Sequence, residues 1–248
     1  MNQTLHIFAK DTRRFLPEIL VVLALVAAFV SIYSYLLAVS PQFWQGNINA
    51  NANGKLIGLL VVLTLLIPVG WWLLISRVFH AENLVGDTQF WITRPYEWKK
   101  LLAAKLLFLV SFVYLPVLMA YCILLAEKGF PPQNDITTLH GLLERLLSIT
   151  GIVVLPLTAI ATVTSNFARM AISTLGAFLC MILAFVLPSA IGGGRDLGPN
   201  SGHICFALIL VGCGTVVVLQ YAWRKTWFSR LLLLAIPMLV FAVVFIRL

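Results

Sequence analysis

Long runs of apolar residues recur along this chain and restrict what it can fold into. Hydrophobic residues make up 61% of the sequence and charged residues only 10%. A soluble domain has about 45–50% and about 25% of these, so this chain cannot cover its apolar surface, and its solvent must be lipid. A helix needs roughly 20 apolar residues to cross the hydrocarbon core, where backbone groups must bond internally. The runs are 19–39, 56–75, 106–126, 146–164, 170–191, 204–223 and 231–246.

The uninterrupted runs predict an all-α, polytopic transmembrane helix bundle, since the strands of a membrane barrel would alternate. The last run has only 16 residues, which is marginal for crossing, so six to seven spans are expected. Residues 1–16 combine basic and apolar side chains and predict an amphipathic helix on the membrane surface. Residues 17–223 are interpreted as the transmembrane domain. Residues 224–248 are interpreted as a basic connection, a seventh span and the start of an outer region beyond this chain.

Most spans after the first contain a proline, which removes a helix hydrogen bond and kinks the helix. Such kinks are tolerated in membrane bundles. They can be structural kinks or functional hinges, and the sequence does not choose between them. The prolines are Pro68, Pro116, Pro156, Pro188 and Pro237.

The distribution of Lys and Arg predicts the orientation of the chain. With the N-terminus inside and seven alternating spans, 12 of the 17 Lys and Arg residues lie inside and five outside. Because cytoplasmic loops carry the excess of basic residues, this arrangement is favoured. It predicts a multi-pass membrane protein with a cytoplasmic N-terminus and an outer C-terminus. The net charge of +8 follows from these loops and does not indicate nucleic-acid binding.

Residues that would carry chemistry are sparse. There is no phosphate-binding G-x-x-x-x-G-K-[ST] motif, the four His residues are scattered, and the four Cys residues lie irregularly inside apolar runs. No span has a central acidic residue, which argues against an ion-coupled carrier. We therefore expect no enzyme activity, no catalytic or metal site and no bound cofactor in this chain. Energy for uphill transport would have to come from another protein.

One polar stretch, residues 77–105, stands out between the second and third runs. It contains five of the 17 Lys and Arg residues and three of the nine Asp and Glu residues. A helix over residues 78–86 would place Phe79 and Glu82 on one side. An apolar anchor beside a carboxylate suits a socket on a soluble partner. Alternatively, Phe90 and Trp91 are membrane-interface residues, and Arg94 pairs internally with Glu82 or Asp87.

The order of residues in this stretch resembles the loop after the second span of ABC-2 type permeases, the membrane subunits of one class of ATP-driven transporters. That loop has a Glu, then a Gly with a Thr, an apolar patch, a Thr-or-Ser-Pro turn and a basic helix start. The run FWITRP followed by LLAAK is especially similar to a bacterial branch of the family. The matching residues are Glu82, Gly86, Thr88, Phe90, Trp91, Thr93, Arg94, Pro95, Lys99, Lys100 and Lys105.

The resemblance implies a function. In the family this loop forms the coupling helix that docks on a separate ATPase subunit, which binds ATP and Mg. The chain would then be a permease subunit of the bacterial cytoplasmic (inner) membrane, usually of an exporter, that pairs with a second copy or a paralogue in the lipid bilayer. The alternative is a membrane scaffold that anchors a cytoplasmic complex through residues 77–105. The residues expected to dock are Phe79, Glu82, Gly86, Asp87, Phe90, Trp91, Arg94 and Pro95.

Overall fold

The computed structural model describes residues 3–39, 50–81, 97–129, 136–191 and 199–246. Within these ranges the regular structure is entirely helical. Two helices are interrupted by single π-helical turns, Val110–Tyr114 and Thr150–Val154. The helices are α1 (Gln3–Arg14), α2 (Leu16–Val39), α3 (Ala50–His80), α4 (Trp98–Leu109), α5 (Leu115–Glu127), α6 (Ile136–Ile149), α7 (Leu155–Val163), α8 (Phe167–Ile191), α9 (Pro199–Ala222) and α10 (Thr226–Ile246).

Seven segments in the described ranges are long and apolar enough to cross a bilayer, so the all-α polytopic bundle is confirmed. The 16-residue run at the end is extended by Thr226–Arg230 into α10, which has 21 residues. The domain bounds 1–16, 17–223 and 224–248 stay a prediction. The spanning segments are Leu16–Ala38, Gly54–His80, Trp98–Glu127, Leu139–Val163, Phe167–Ala184, Gly202–Ala222 and Thr226–Val244.

Three expected boundaries are wrong, and for one reason. The third span begins at Trp98 rather than residue 106, and the fourth begins at Leu139 rather than residue 146. Residues 78–80 complete α3 and do not begin a new helix. A helix continues through polar residues as long as its backbone hydrogen bonds continue, so the apolar run marks only its middle.

The amphipathic helix expected at the N-terminus is present as α1. Its Ile7 is buried, whereas Leu5 is 52% exposed. The ring of Phe8 lies 6.5 Å from that of Phe108 and 6.0 Å from that of Phe112. The apolar side of α1 therefore packs on aromatic residues of the third span.

Both π-helical turns end directly before a Leu-Pro pair. The N–H of Leu115 donates to the carbonyl of Val110, and the N–H of Leu155 donates to that of Thr150, so each bond spans five residues. Pro116 and Pro156 follow, and a proline ring clashes with the carbonyl four residues earlier. The wider turn accommodates that clash. The kinks expected at these two prolines therefore take the form of inserted π-turns.

The chain divides into two compact units. Unit 1 comprises Met1–Leu74 and Leu106–Leu147, and in it α2 packs on α5. Unit 2 comprises Ile75–Lys105 and Ser148–Leu248. In unit 2, α9 packs on α7 and α10, and α10 packs on α8. Ala184, Cys205, Val240 and Val244 form a buried apolar cluster there.

The end of α5 shows where a glycine is required. Gly129 has a φ of +81°, and its N–H donates to the carbonyl of Ala126 at 3.0 Å. We expect Gly129→Ala to lower the free energy of unfolding by about 1 kcal/mol, since an L-residue is strained in the left-handed region. The control is Gly141→Ala inside α6, where a Cβ meets nothing within 4 Å and stability should rise by roughly 0.5–1 kcal/mol. Thermal unfolding in detergent measures both, and equal shifts would contradict the assignment.

Candidate functional site at the helix ends of unit 2

The ends of several helices meet in unit 2 and form what we call the helix-end cluster. The C-terminal ends of α3, α7 and α9 contribute to it, together with residues of α4 and the first turns of α10. Each contact described below joins two of these helices. Residues on one described flank of the polar stretch 77–105 contact the ends of α7 and α9, and Lys105 on the other flank contacts α3. The cluster consists of Val78, Phe79, His80, Lys105, Val163, Thr164, Gln220, Tyr221, Thr226, Ser229 and Arg230.

His80 joins the end of α3 to the end of α7. Its Nε2 lies 3.2 Å from the carbonyl oxygen of Thr164 and 3.1 Å from Oγ1 of the same residue. The Thr164 hydroxyl donates to the carbonyl of Ile160 at 2.8 Å. Both oxygens therefore accept from His80, and Nε2 carries the proton. Because Thr164 is extended, with φ −97° and ψ 144°, the imidazole also fixes the point where α7 ends.

Lys105 joins α4 to the last turns of α3. Its side chain is only 1% exposed, and its Nζ donates to the carbonyl of Val78 at 2.9 Å. A cation at a helix C-terminus is favoured by the partial negative charge of the final carbonyls. In the resemblance, Lys105 belongs to the basic helix start together with Lys99 and Lys100. It is buried inside unit 2, and it ties together the two helices that flank the polar stretch.

Phe79 lies inside the same cluster. It is 3% exposed, and its ring packs edge-on against that of Tyr221, with centroids 6.5 Å apart and an interplanar angle of 86°. The sequence predicted that Phe79 would face a partner beside Glu82, and the structure corrects this because Phe79 is buried. Helical spacing alone could not reveal that α9 occupies that side of α3.

The first turns of α10 close the cluster. Nη2 of Arg230 donates to the carbonyl of Val163 at 3.4 Å, and Nε2 of Gln220 donates to the hydroxyl of Thr226 at 3.3 Å. Gln220 and Ser229 are fully buried. Among the described residues, no hydrogen-bond partner is found for Oε1 of Gln220 or Oγ of Ser229.

Phe79 is the only predicted docking residue inside the described ranges. The other seven fall outside them, and the docking assignments stay predictions. They are Glu82, Gly86, Asp87, Phe90, Trp91, Arg94 and Pro95.

His80, Thr164, Tyr221 and Arg230 received no role from the sequence. The signal for them was topological, because alternation of the spans puts the ends of the second, fourth and sixth spans on one face of the membrane. A polar or aromatic residue at each of those ends was the available clue. Their mutual contacts depend on how the helices are arranged, which hydropathy does not encode.

The hydrogen bonds of the helix-end cluster have a structural role. Its side chains donate mainly to backbone carbonyls, which fixes helix ends. In the part of the chain that the structure describes, no three His, Cys, Asp or Glu side chains are grouped closely enough to hold a metal ion. No protein-family model, curated protein or solved structure matches this chain.

Proposed function

We propose that the chain is the permease subunit of an ATP-driven transporter, an exporter of the bacterial inner membrane, and that a separate ATPase docks on residues 77–105. The observation that carries the proposal is the anchoring of both described flanks of this stretch in the helix-end cluster. On one flank, Phe79 and His80 contact α9 and the end of α7. On the other, Lys105 bonds to α3.

This anchoring would let a displacement of the stretch move the membrane helices, which coupling requires. A docked protein that displaces residues 82–96 pulls on the end of α3 and the start of α4. Because side chains in these helices bond to α3, α7 and α9, the displacement reaches the membrane helices of unit 2. Flanks without such contacts would absorb the same displacement. ATP and Mg belong to the partner in this proposal, and a second permease chain completes the transporter.

Co-purification of the tagged, full-length chain tests the proposal. We expect an ATPase with a phosphate-binding loop to be retained, and its ATP hydrolysis rate to change when the permease is bound. In Glu82→Lys, we expect about tenfold weaker retention and hydrolysis uncoupled from transport, because reversing one interfacial charge removes roughly 1.4 kcal/mol. Quantitative retention on the affinity resin and ATP-dependent uptake into inverted vesicles measure the two effects.

The matched control is Glu127→Lys, an exposed charge reversal at the far end of the third span, which should leave retention unchanged. Absence of any ATPase would reject the proposal. Retention of an ATPase without ATP-dependent movement of any substrate would instead favour the scaffold. Wild-type coupling in Glu82→Lys would remove Glu82 from the docking surface.

A further inference from the structure

The turn between α9 and α10 exposes an unusual amount of aromatic surface. Trp223 is 67% exposed, Trp227 is 74% exposed and Phe228 is 57% exposed. Indole rings have an apolar body and one polar N–H, so they favour the headgroup level of a bilayer, between water and hydrocarbon. The turn joins two spanning segments, which places these rings at a membrane surface.

The same turn is strongly basic. Arg224, Lys225 and Arg230 lie within seven residues and are all exposed. These three side chains are positively charged, and residues 223–230 contain no Asp or Glu. The charge of this surface is therefore complementary to an anion, and its aromatic rings fit a lipid environment. We call Trp223, Arg224, Lys225, Trp227, Phe228 and Arg230 the basic-aromatic turn.

The backbone brings the charges together. Arg224 has a φ of +51°, and its N–H donates to the carbonyl of Leu219 at 3.1 Å, which closes α9. The chain then starts the 21-residue helix α10 only two residues later. The N-terminus of a helix carries partial positive charge, so it adds to the attraction that the side chains exert on an anion.

We propose that the basic-aromatic turn binds the headgroup of an anionic phospholipid. Arg224 and Lys225 contact the headgroup phosphates, while Trp223 and Trp227 lie beside the glycerol and upper acyl chain. A docked soluble protein would not need three large aromatic rings at the depth where spans end. This inference goes beyond the proposed function and does not depend on it.

Bound lipid would also act on the helix-end cluster. Arg230 belongs to the turn and donates to the carbonyl of Val163, which precedes the residue that accepts from His80. A headgroup that orders the turn therefore holds α10 against the end of α7. The bound lipid therefore stabilises the packing of helices in unit 2.

The test uses the full-length chain in a zwitterionic detergent, supplied with phosphatidylglycerol or with phosphatidylcholine. Native mass spectrometry counts the lipids retained, and thermal unfolding reports their effect on stability. We expect preferential retention of phosphatidylglycerol and a higher unfolding temperature with it. In the double variant R224Q/K225Q, affinity for phosphatidylglycerol should fall roughly thirtyfold, the equivalent of about 2 kcal/mol, with little change for phosphatidylcholine.

Lys128→Gln is the matched control, since Lys128 is exposed at the opposite end of the third span, over the ring of Tyr33. It should retain phosphatidylglycerol as the wild type does. Trp227→Ala should weaken both lipids, whereas added inorganic phosphate should displace neither. Equal retention of the two lipids, an unchanged R224Q/K225Q variant, or an equal loss in Lys128→Gln would overturn the proposal. A change of oligomeric state in Trp227→Ala would overturn it too, by assigning the turn to a second copy of the chain.

Discussion

Lys105→Glu is expected to lower the free energy of unfolding by about 3–5 kcal/mol, because it leaves a buried charge without a counterpart. The carboxylate would face the carbonyl of Val78, to which Nζ of Lys105 now donates at 2.9 Å. Two acceptors would then oppose each other at a position that is 1% exposed. Chemical unfolding of the purified protein in detergent, with gel filtration to measure the folded fraction, checks this result.

Lys105→Met separates the effect of the charge on stability from the effect of side-chain volume. It fills nearly the same space and removes both the donor and the desolvation of the ammonium group, so these effects partly cancel. We expect a loss of only about 1–2 kcal/mol. The matched surface control is Lys100→Glu, where the native Nζ is 2.9 Å from Oε1 of Glu97 and the side chain is 41% exposed. That variant should change stability by less than about 1 kcal/mol. A Lys105→Glu protein as stable as the control would show that Lys105 is solvated and that the cluster is misassigned.

Hydropathy was sufficient for the fold class, because the solvent decides it, and it left the number of spans at six to seven. Burying roughly 20 apolar residues in lipid outweighs any local preference, so each run could only become a helix. Hydropathy failed at the ends, where the mixed polar and aromatic segments Trp98–Lys100 and Thr226–Arg230 extend helices beyond their apolar middles. There the backbone hydrogen bonds, and not lipid, decide where a helix stops.

The candidate site was less predictable than the fold. The sequence predicted Phe79 as a docking residue, and it assigned Lys105 only to the basic helix start of the resemblance. Both are buried because α3, α4 and α9 converge at that point. No periodicity within a single helix contains that information, which belongs to the arrangement of three helices. The π-turns before Pro116 and Pro156 were hidden for a related reason: a proline predicts a disturbance but not the form it takes.

The second large loss of stability is expected for substitutions of Gly151, which lies in the π-turn Thr150–Val154. A Cβ on this buried glycine would lie 2.8 Å from Cζ of Phe206 on α9, well inside van der Waals contact. Small residues let membrane helices approach closely, and here the glycine admits an aromatic ring against the widened turn. Gly151→Leu should therefore force α9 away from the turn, with a loss of about 3 kcal/mol, at the upper end of overpacking effects. Gly151→Ala should lose less, about 1–2 kcal/mol, because the ring can tilt.

A double-mutant cycle distinguishes steric overlap from a change in helix propensity. Phe206→Ala alone leaves a cavity and destabilises, but in combination with Gly151→Ala it provides room for the new methyl group. We expect the two substitutions to be non-additive by at least about 1 kcal/mol, with the double variant more stable than the sum predicts. The control is Gly214→Ala, also on α9, where a Cβ would meet nothing within 4 Å, and helix propensity should raise stability slightly. Additive effects at Gly151 and Phe206 would mean that the ring does not rest against the π-turn, and that α7 and α9 are held together elsewhere.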